Sequence, residues 1–293
     1  MGHIDHLSHG LLTPAFGFLV MCMAAVIGLR CTVRAMSTKG RSKRMWLFVG
    51  ATAIASGIWT LHFIAMIGFG VAGTAIRYDV PLTLISLVLA IAVVSAGVFT
   101  VGYGRSRGLA LFIGGLGTGL GVATMHYSGM AAVQLNGAIQ YNPALVILSV
   151  LIAITAATAA LWIVLNVTGL SGTMVAALIM GLAVSSMHYT GMLAVSVEID
   201  GQAASLPGAT AMEFLFPLSI GIGAILFIAF TIVAVSPLDD DEDDEMNRKL
   251  ETLRARRAEY NDQLEAQIMA ADKGRNGRRR TTTSSRTGTR LGR

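Results

Sequence analysis

Three histidines and three methionines recur in this sequence at a spacing suited to holding a soft metal ion. Gly57–Met66 reads GIWTLHFIAM, Gly121–Met130 reads GVATMHYSGM, and Ala183–Met192 reads AVSSMHYTGM. Each segment sets a methionine four residues after a histidine: His62 and Met66, His126 and Met130, His188 and Met192. On an α-helix that separation leaves both side chains on one face, a turn apart. Imidazole with thioether is a soft donor set that suits Cu(I). No carboxylate stands in or beside the motifs, which argues against hydrolytic zinc and non-haem iron, and no base is at hand to activate water. Met125 and Met187 directly precede their histidines but point about 100° away. They serve either as packing, the commoner role of methionine, or as donors to a second ion. Tyr127 and Tyr189 flank the second and third histidines, where they either hydrogen-bond to a bound ligand or anchor the helix at the membrane interface.

The elements that must position these residues are membrane helices. Charged residues make up 13% of the 293-residue chain, against about 25% in soluble domains. Residues 236–293 hold 13 of the 22 basic and 12 of the 17 acidic residues, so the first 235 residues carry only 14 charges. Seven apolar runs are legible, at about 12–34, 45–69, 81–103, 109–133, 144–166, 173–197 and 213–235. Each is long enough to cross ~30 Å of hydrocarbon at 1.5 Å per residue, and without water to satisfy the backbone such runs must be helical. The fold class expected is therefore an all-α membrane protein with seven transmembrane helices and a multi-pass location in the plasma membrane. Cys22 and Cys31 both fall in the first run and read as free thiols rather than a disulfide framework.

Loop charge orients the bundle. Arg30, Arg34, Lys39, Arg41, Lys43, Arg44, Arg105 and Arg107 fall on one side, leaving Arg77 on the other. The positive-inside rule makes the first side cytoplasmic, with the N-terminus outside and the C-terminus inside. The first run lacks a basic leading region, so it reads as a retained helix rather than a signal peptide. His62, His126 and His188 are 64 and 62 residues apart, so the unit is two helices long and repeats about three times. The motif always falls on an even-numbered helix, in the outer leaflet. The histidine faces also carry Ala51, Ala55, Gly115, Gly119, Ala177 and Gly181. Small residues let membrane helices approach closely, so these faces are expected to point into the bundle. Ionisable groups placed there are costly and usually functional.

Three regions follow: an outer segment 1–11, the membrane domain 12–235 and a cytoplasmic tail 236–293. The tail opens with an acidic run, Asp239 to Glu245, continues in a helical stretch at about 245–271, and ends in an Arg-, Ser- and Thr-rich segment from Lys273 that reads as disordered. It is too short for a catalytic output domain, and no specific nucleic-acid binding is expected of it. In the outer segment His3, His6 and His9 recur every third residue, a weak candidate for metal capture beside the default of a solvated terminus.

At this point the sequence resembles the MHYT-domain family of bacterial membrane sensors, whose name is spelled by Met187-His188-Tyr189-Thr190. The resemblance covers roughly residues 12–235. It implies seven helices, an outward-facing motif cluster, a copper site, and sensing of oxygen, carbon monoxide or nitric oxide. It carries over to Met125, His126, Tyr127, Gly129 and Met130, and to Met187, His188, Tyr189, Gly191 and Met192. In the first copy Leu61, Phe63 and Ala65 depart from the pattern, leaving His62 and Met66, and a later methionine of the motif is Val133 in the second copy and Val195 in the third. Those losses weigh against a second ion.

The function expected is thus a non-enzymatic, copper-binding membrane sensor of a diatomic gas or of redox state, working through a separate cytoplasmic partner as a member without a fused output domain. Two rivals stand beside it. Histidine and methionine are ordinary axial ligands, which suits a haem-binding membrane protein. A copper carrier or transporter needs polar groups through the whole thickness, and the inner halves of the motif helices lack them. An enzyme acting on membrane substrates would need an acid–base pair or nucleophile, and none is legible.

Overall fold

The computed structural model describes residues 4–5, 10–166, 169–199, 205–235, 249–261 and 263. Among the described residues seven helices are long and apolar enough to cross a membrane, and the chain is a multi-pass membrane protein. The helices are α1 (Leu12–Ser37), α2 (Gly40–Ile67), α3 (Val80–Tyr103), α4 (Arg107–Ala131), α5 (Pro143–Asn166), α6 (Leu170–Leu193) and α7 (Phe216–Val235). A single π-helical turn, Ala211–Leu215, precedes α7. It is closed by a capping box in which Thr210 and Glu213 satisfy each other's backbone N–H.

Six helices close a ring. α1 packs on α2, α2 on α3, α3 on α4, α4 on α5, α5 on α6, and α6 returns to α1; α7 lies outside, against α1 and α2. Small residues set the approaches. A β-carbon at Gly115 would overlap Thr158 of α5, and one at Gly119 would overlap the backbone of Ile154. One at Gly181 would lie 2.7 Å from Cys22 Sγ of α1. The small residues of the motif faces thus bring the neighbouring odd-numbered helix close, and the histidines are left to turn toward the axis. Trp59 Nε1–H donates to Ser86 Oγ across α2 and α3 at 2.9 Å. Large apolar side chains such as Ile85, Val88, Phe112, Leu151 and Ile225 are exposed, as expected where the surrounding solvent is lipid. Cys22 and Cys31 are free thiols.

The expected spans run too far at the motif end of the bundle. α6 stops at Leu193 rather than 197, and Val195–Ile199 is a strand, β6. Val-Ser-Val-Glu-Ile alternates apolar with polar, the period of a strand and not of a helix. Among the described residues six short strands lie at this end: β1 (Ile4–Asp5), β2 (Gly70–Val71), β3 (Arg77–Tyr78), β4 (Val133–Gln134), β5 (Gly137–Tyr141) and β6. They pair antiparallel as β1 with β2, β3 with β4 and β5 with β6, the last running from Gly137↔Ile199 to Tyr141↔Val195. The helix ends are tied to these ribbons. Asp79 N–H donates to the Ala132 carbonyl and Asn142 N–H to the Ala194 carbonyl, both at 2.8 Å. Asp79 and Asn142 also cap α3 and α5, accepting backbone N–H groups of Leu82 and of Ala144.

Residues 236–293 form a second unit, of which 249–261 and 263 are described. Residues 249–261 within it are helical and exposed. The acidic run and the segment from Lys273 lie outside the described residues.

Candidate metal centre

Each motif histidine stands at the same height on its helix. α2, α4 and α6 all end five residues after it, at Ile67, Ala131 and Leu193, about 7.5 Å or one and a half turns. On α4 and α6 the C-cap carbonyls of Ala132 and Ala194 then accept from Asp79 and Asn142.

Matched height and an inward face bring the three imidazoles together. The Nδ1 atoms of His62 and His188 are 3.0 Å apart, those of His62 and His126 3.1 Å, and those of His126 and His188 3.3 Å. The rings stand edge to face, with centroids 4.9 to 5.1 Å apart. All three side chains are buried, at 2%, 0% and 2% exposure. Hydrogen bonding cannot satisfy this arrangement. A neutral imidazole has one N–H, and a single Nδ1 cannot both donate and accept. With one Nδ1–H shared between the other two rings two lone pairs still face each other, and with none three do. The three Nδ1 atoms form a group of the kind that could hold one metal ion. Three nitrogens around one ion in a plane, each ~2.0 Å from it, would be about 3.5 Å apart. The observed triangle, 3.0 to 3.3 Å on a side, is close to that size, so Nδ1 of His62, His126 and His188 are the atoms that would hold such an ion. Among the described residues no Asp or Glu is buried, so the donor set is neutral.

Close packing fixes the ring orientations. Gly129 lies against His62, and Gly191 against His126: a β-carbon at either glycine would sit 2.5 Å from the neighbouring Nε2. Each of these glycines is three residues past its own helix's histidine, and the corresponding position on α2 is Ala65. His62 Nε2 and His126 Nε2 are buried and make no hydrogen bond among the described residues. That departs from the usual pattern, in which a ligating histidine donates its second N–H to a carbonyl or carboxylate. The residue after each histidine closes over it edge-on: Phe63 at 4.6 Å, Tyr127 at 4.8 Å and Tyr189 at 4.9 Å between centroids. Tyr127 Oη is also 2.6 Å from Ser149 Oγ on α5.

The other candidates are placed as follows. Met66, Met130 and Met192 are buried one turn nearer the ribbons. The Met66 carbonyl accepts from the Tyr78 hydroxyl at 3.1 Å. Met125 is buried in the main apolar core, and Met187 faces an internal cavity on the other side of the histidines. His3, His6 and His9 lie outside the described residues, although Ile4 and Asp5 between them pair with Val71 and Gly70. Sequence reasoning missed the ribbons and the Asp79 and Asn142 ties. The signal for them was the period-two alternation at 195–199.

Comparison with known proteins bears on this arrangement. The chain is 38% identical to the bifunctional diguanylate cyclase/cyclic di-GMP phosphodiesterase MucR of Pseudomonas aeruginosa over 192 residues, 64% of this chain and 28% of that protein. It is 37% identical to the cyclic di-GMP phosphodiesterase NbdA of the same organism, over 63% of this chain and 24% of that protein. It is 28% identical to the signaling protein YkoW of Bacillus subtilis, over 79% and 29% respectively. The chain thus spans under a third of each of these relatives, outside which their remaining length lies. No solved structure matches it. The family model described as the bacterial signalling protein N-terminal repeat matches three times, at residues 56–114, 119–177 and 181–238, each match opening shortly before one of the clustered histidines. With more than half of its length matched, this chain belongs to the MHYT family of membrane signalling proteins.

Proposed function

We propose that the chain is a copper-dependent membrane sensor whose ion is held by Nδ1 of His62, His126 and His188. The observation that carries this reading is the triangle of three buried Nδ1 atoms 3.0 to 3.3 Å apart. Its neutral, carboxylate-free surroundings favour a monovalent ion, because the cost of burying charge rises steeply with that charge. Cu(I) is such an ion and takes imidazole readily. When bound, copper would supply an open coordination position and a one-electron couple. The chain's own residues hold the ring orientations through Gly129 and Gly191, exclude water, and offer Met66, Met130 and Met192 as soft donors toward the outer face. Met125, Met187, Tyr127 and Tyr189 pack around the site.

In this reading the bundle is an approximately threefold repeat of two-helix units, α1–α2, α3–α4 and α5–α6. The motif end faces outward with the N-terminus, and the C-terminus is cytoplasmic. The signal is oxygen, carbon monoxide, nitric oxide or redox state. It passes through the bundle to a cytoplasmic partner, in keeping with relatives named for signalling and cyclic di-GMP turnover. The copper site itself carries no acid–base pair, and the reading assigns it no catalysis. Haem fits less well. Axial nitrogens on opposite sides of an iron lie roughly 4 Å apart, twice a metal–nitrogen bond, with a macrocycle between them. A copper carrier fits less well too, because the space inward of the histidines is apolar.

Metal analysis of the purified full-length protein tests the proposal. Wild type is expected to hold copper, and His126→Ala and His188→Ala to lose most of it. Full copper content in both variants would sink the site.

A further inference from the structure

Directly inward of the histidines the ring of helices encloses a chamber of about 50 Å³. Each motif helix lines it with the residues one and two turns before its histidine: Ile58 and Ile54 on α2, Val122 and Thr118 on α4, Val184 and Met180 on α6. These positions share the histidine face. The chamber therefore lies on the axis of the ring, beneath the three imidazoles. Helices α1, α3 and α5 complete the wall.

The lining decides what fits. Thr118 alone brings a polar side chain; its hydroxyl lies beside Gly97 of α3 and makes no hydrogen bond among the described residues, so the lining offers a guest one polar partner. Water needs two to four polar partners to occupy a cavity, and an apolar cavity stays dry while accepting xenon or small apolar molecules. The volume excludes anything much larger. Most of the lining is buried. Ala156, Ala160 and Val184 are the half-buried members, and they lie on the adjacent helices α5 and α6. The seam between those helices leads toward the hydrocarbon of the bilayer, where uncharged diatomic molecules partition favourably. The opposite, ribbon-covered end is separated from the chamber by the histidines.

We propose that this chamber is a holding site for one uncharged diatomic molecule, admitted from the bilayer between α5 and α6, from which it meets the histidine cluster on its inner side. Occupation of the chamber stands on its size and lining. Delivery to the cluster rests on the reading of the cluster as a copper centre.

Xenon separates the two. Full-length protein in lipid nanodiscs, with and without copper, is titrated with xenon and followed by 129Xe NMR. Wild type is expected to show saturable binding in both states. Ala157→Leu, which fills the chamber from α5, is expected to lose it. Ile58→Ala, which enlarges the chamber, is expected to bind xenon more tightly, and it decides the matter should the leucine variant fail to fold. In copper-loaded, reduced protein Ala157→Leu is expected to keep its copper yet take up carbon monoxide several-fold more slowly, read from the C–O stretch. Absence of saturable xenon binding in wild type, or binding unaltered in both variants, overturns the holding site whatever the metal content. Saturable binding in a protein that takes no copper leaves the holding site standing and removes the copper reading.

Discussion

Gly129 of α4 stands against the ring of His62 on α2, so close that a β-carbon would sit 2.5 Å from Nε2. Such a contact forces the imidazole to move, and its Nδ1 is one corner of the triangle. Gly129→Ala is therefore expected to lose most bound copper at a stability cost of about 1–3 kcal/mol for overpacking. Gly191→Ala should do the same through His126. Position 65 on α2 already carries a β-carbon, so Ala65→Gly should leave copper content unchanged. Metal analysis alongside thermal unfolding checks all three. Copper retained in both glycine variants would show that the ring positions do not govern binding.

The histidines and methionines should separate by affinity. His126→Ala removes a nitrogen from the convergent set and should weaken Cu(I) binding by at least 10–100-fold, the range seen when only the residues supporting a ligand are altered. Met130→Leu keeps volume and burial, and should cost less than tenfold, about 1.4 kcal/mol. Competition with a colorimetric Cu(I) chelator measures both. A larger loss for the methionine than for the histidine would move the ion away from the Nδ1 triangle and toward the outer face.

How much of this was legible beforehand varied with the physics. Seven helices followed from long apolar runs, because a bilayer leaves the backbone no alternative. The matched depth of His62, His126 and His188 followed from the 64- and 62-residue spacing. That their Nδ1 atoms converge could not be read from spacing, since it depends on ring orientation, against which Gly129 and Gly191 pack from another motif helix across the ring. The role of Gly115, Gly119 and Gly181 was only half legible: small residues announce a close approach but not the partner, and here the partners are α5 and α1. The ribbons were hidden by hydrophobicity. Val195 and Val197 are as apolar as a helix end, so the sixth run appeared to reach 197, and their pairing with Tyr141 and Ile139 joins residues far apart in sequence.

Tyr78 makes a pH-dependent contribution. It lies between α2 and α3, is 1% exposed, and donates its hydroxyl to the Met66 carbonyl. Burial pushes its pKa well above the ordinary value near 10. The folded state therefore holds this proton more tightly than the unfolded state. The associated stability is fully present below pH ~10 and is lost as pH rises beyond it. Tyr78→Phe should cost about 1 kcal/mol at neutral pH through the lost hydrogen bond, and it should flatten the decline in stability above pH 10. Parallel declines for both proteins in alkaline thermal unfolding would exclude Tyr78 as the titrating group.

The ties between helix ends offer a test of how the histidine heights are held. Asp79 receives the Leu82 N–H on its side chain and gives its own N–H to the carbonyl of Ala132, the C-cap of α4. Asn142 stands in the same relation to α5 and to Ala194, the C-cap of α6. One residue thus starts an odd-numbered helix and pins the following motif helix at its last turn. Asp79→Ala removes the cap but keeps the backbone donor, so it should cost about 0.5–2 kcal/mol and leave copper affinity intact. Asp79→Pro removes the backbone donor as well and frees the end of α4, six residues beyond His126. It should lower copper affinity as well as stability, whereas Asp79→Ala lowers stability alone. Equal copper affinity in the two variants at matched folded fraction would mean that the ribbon does not set the height of His126. The ring packing of α4 against α3 and α5 would then carry that task by itself.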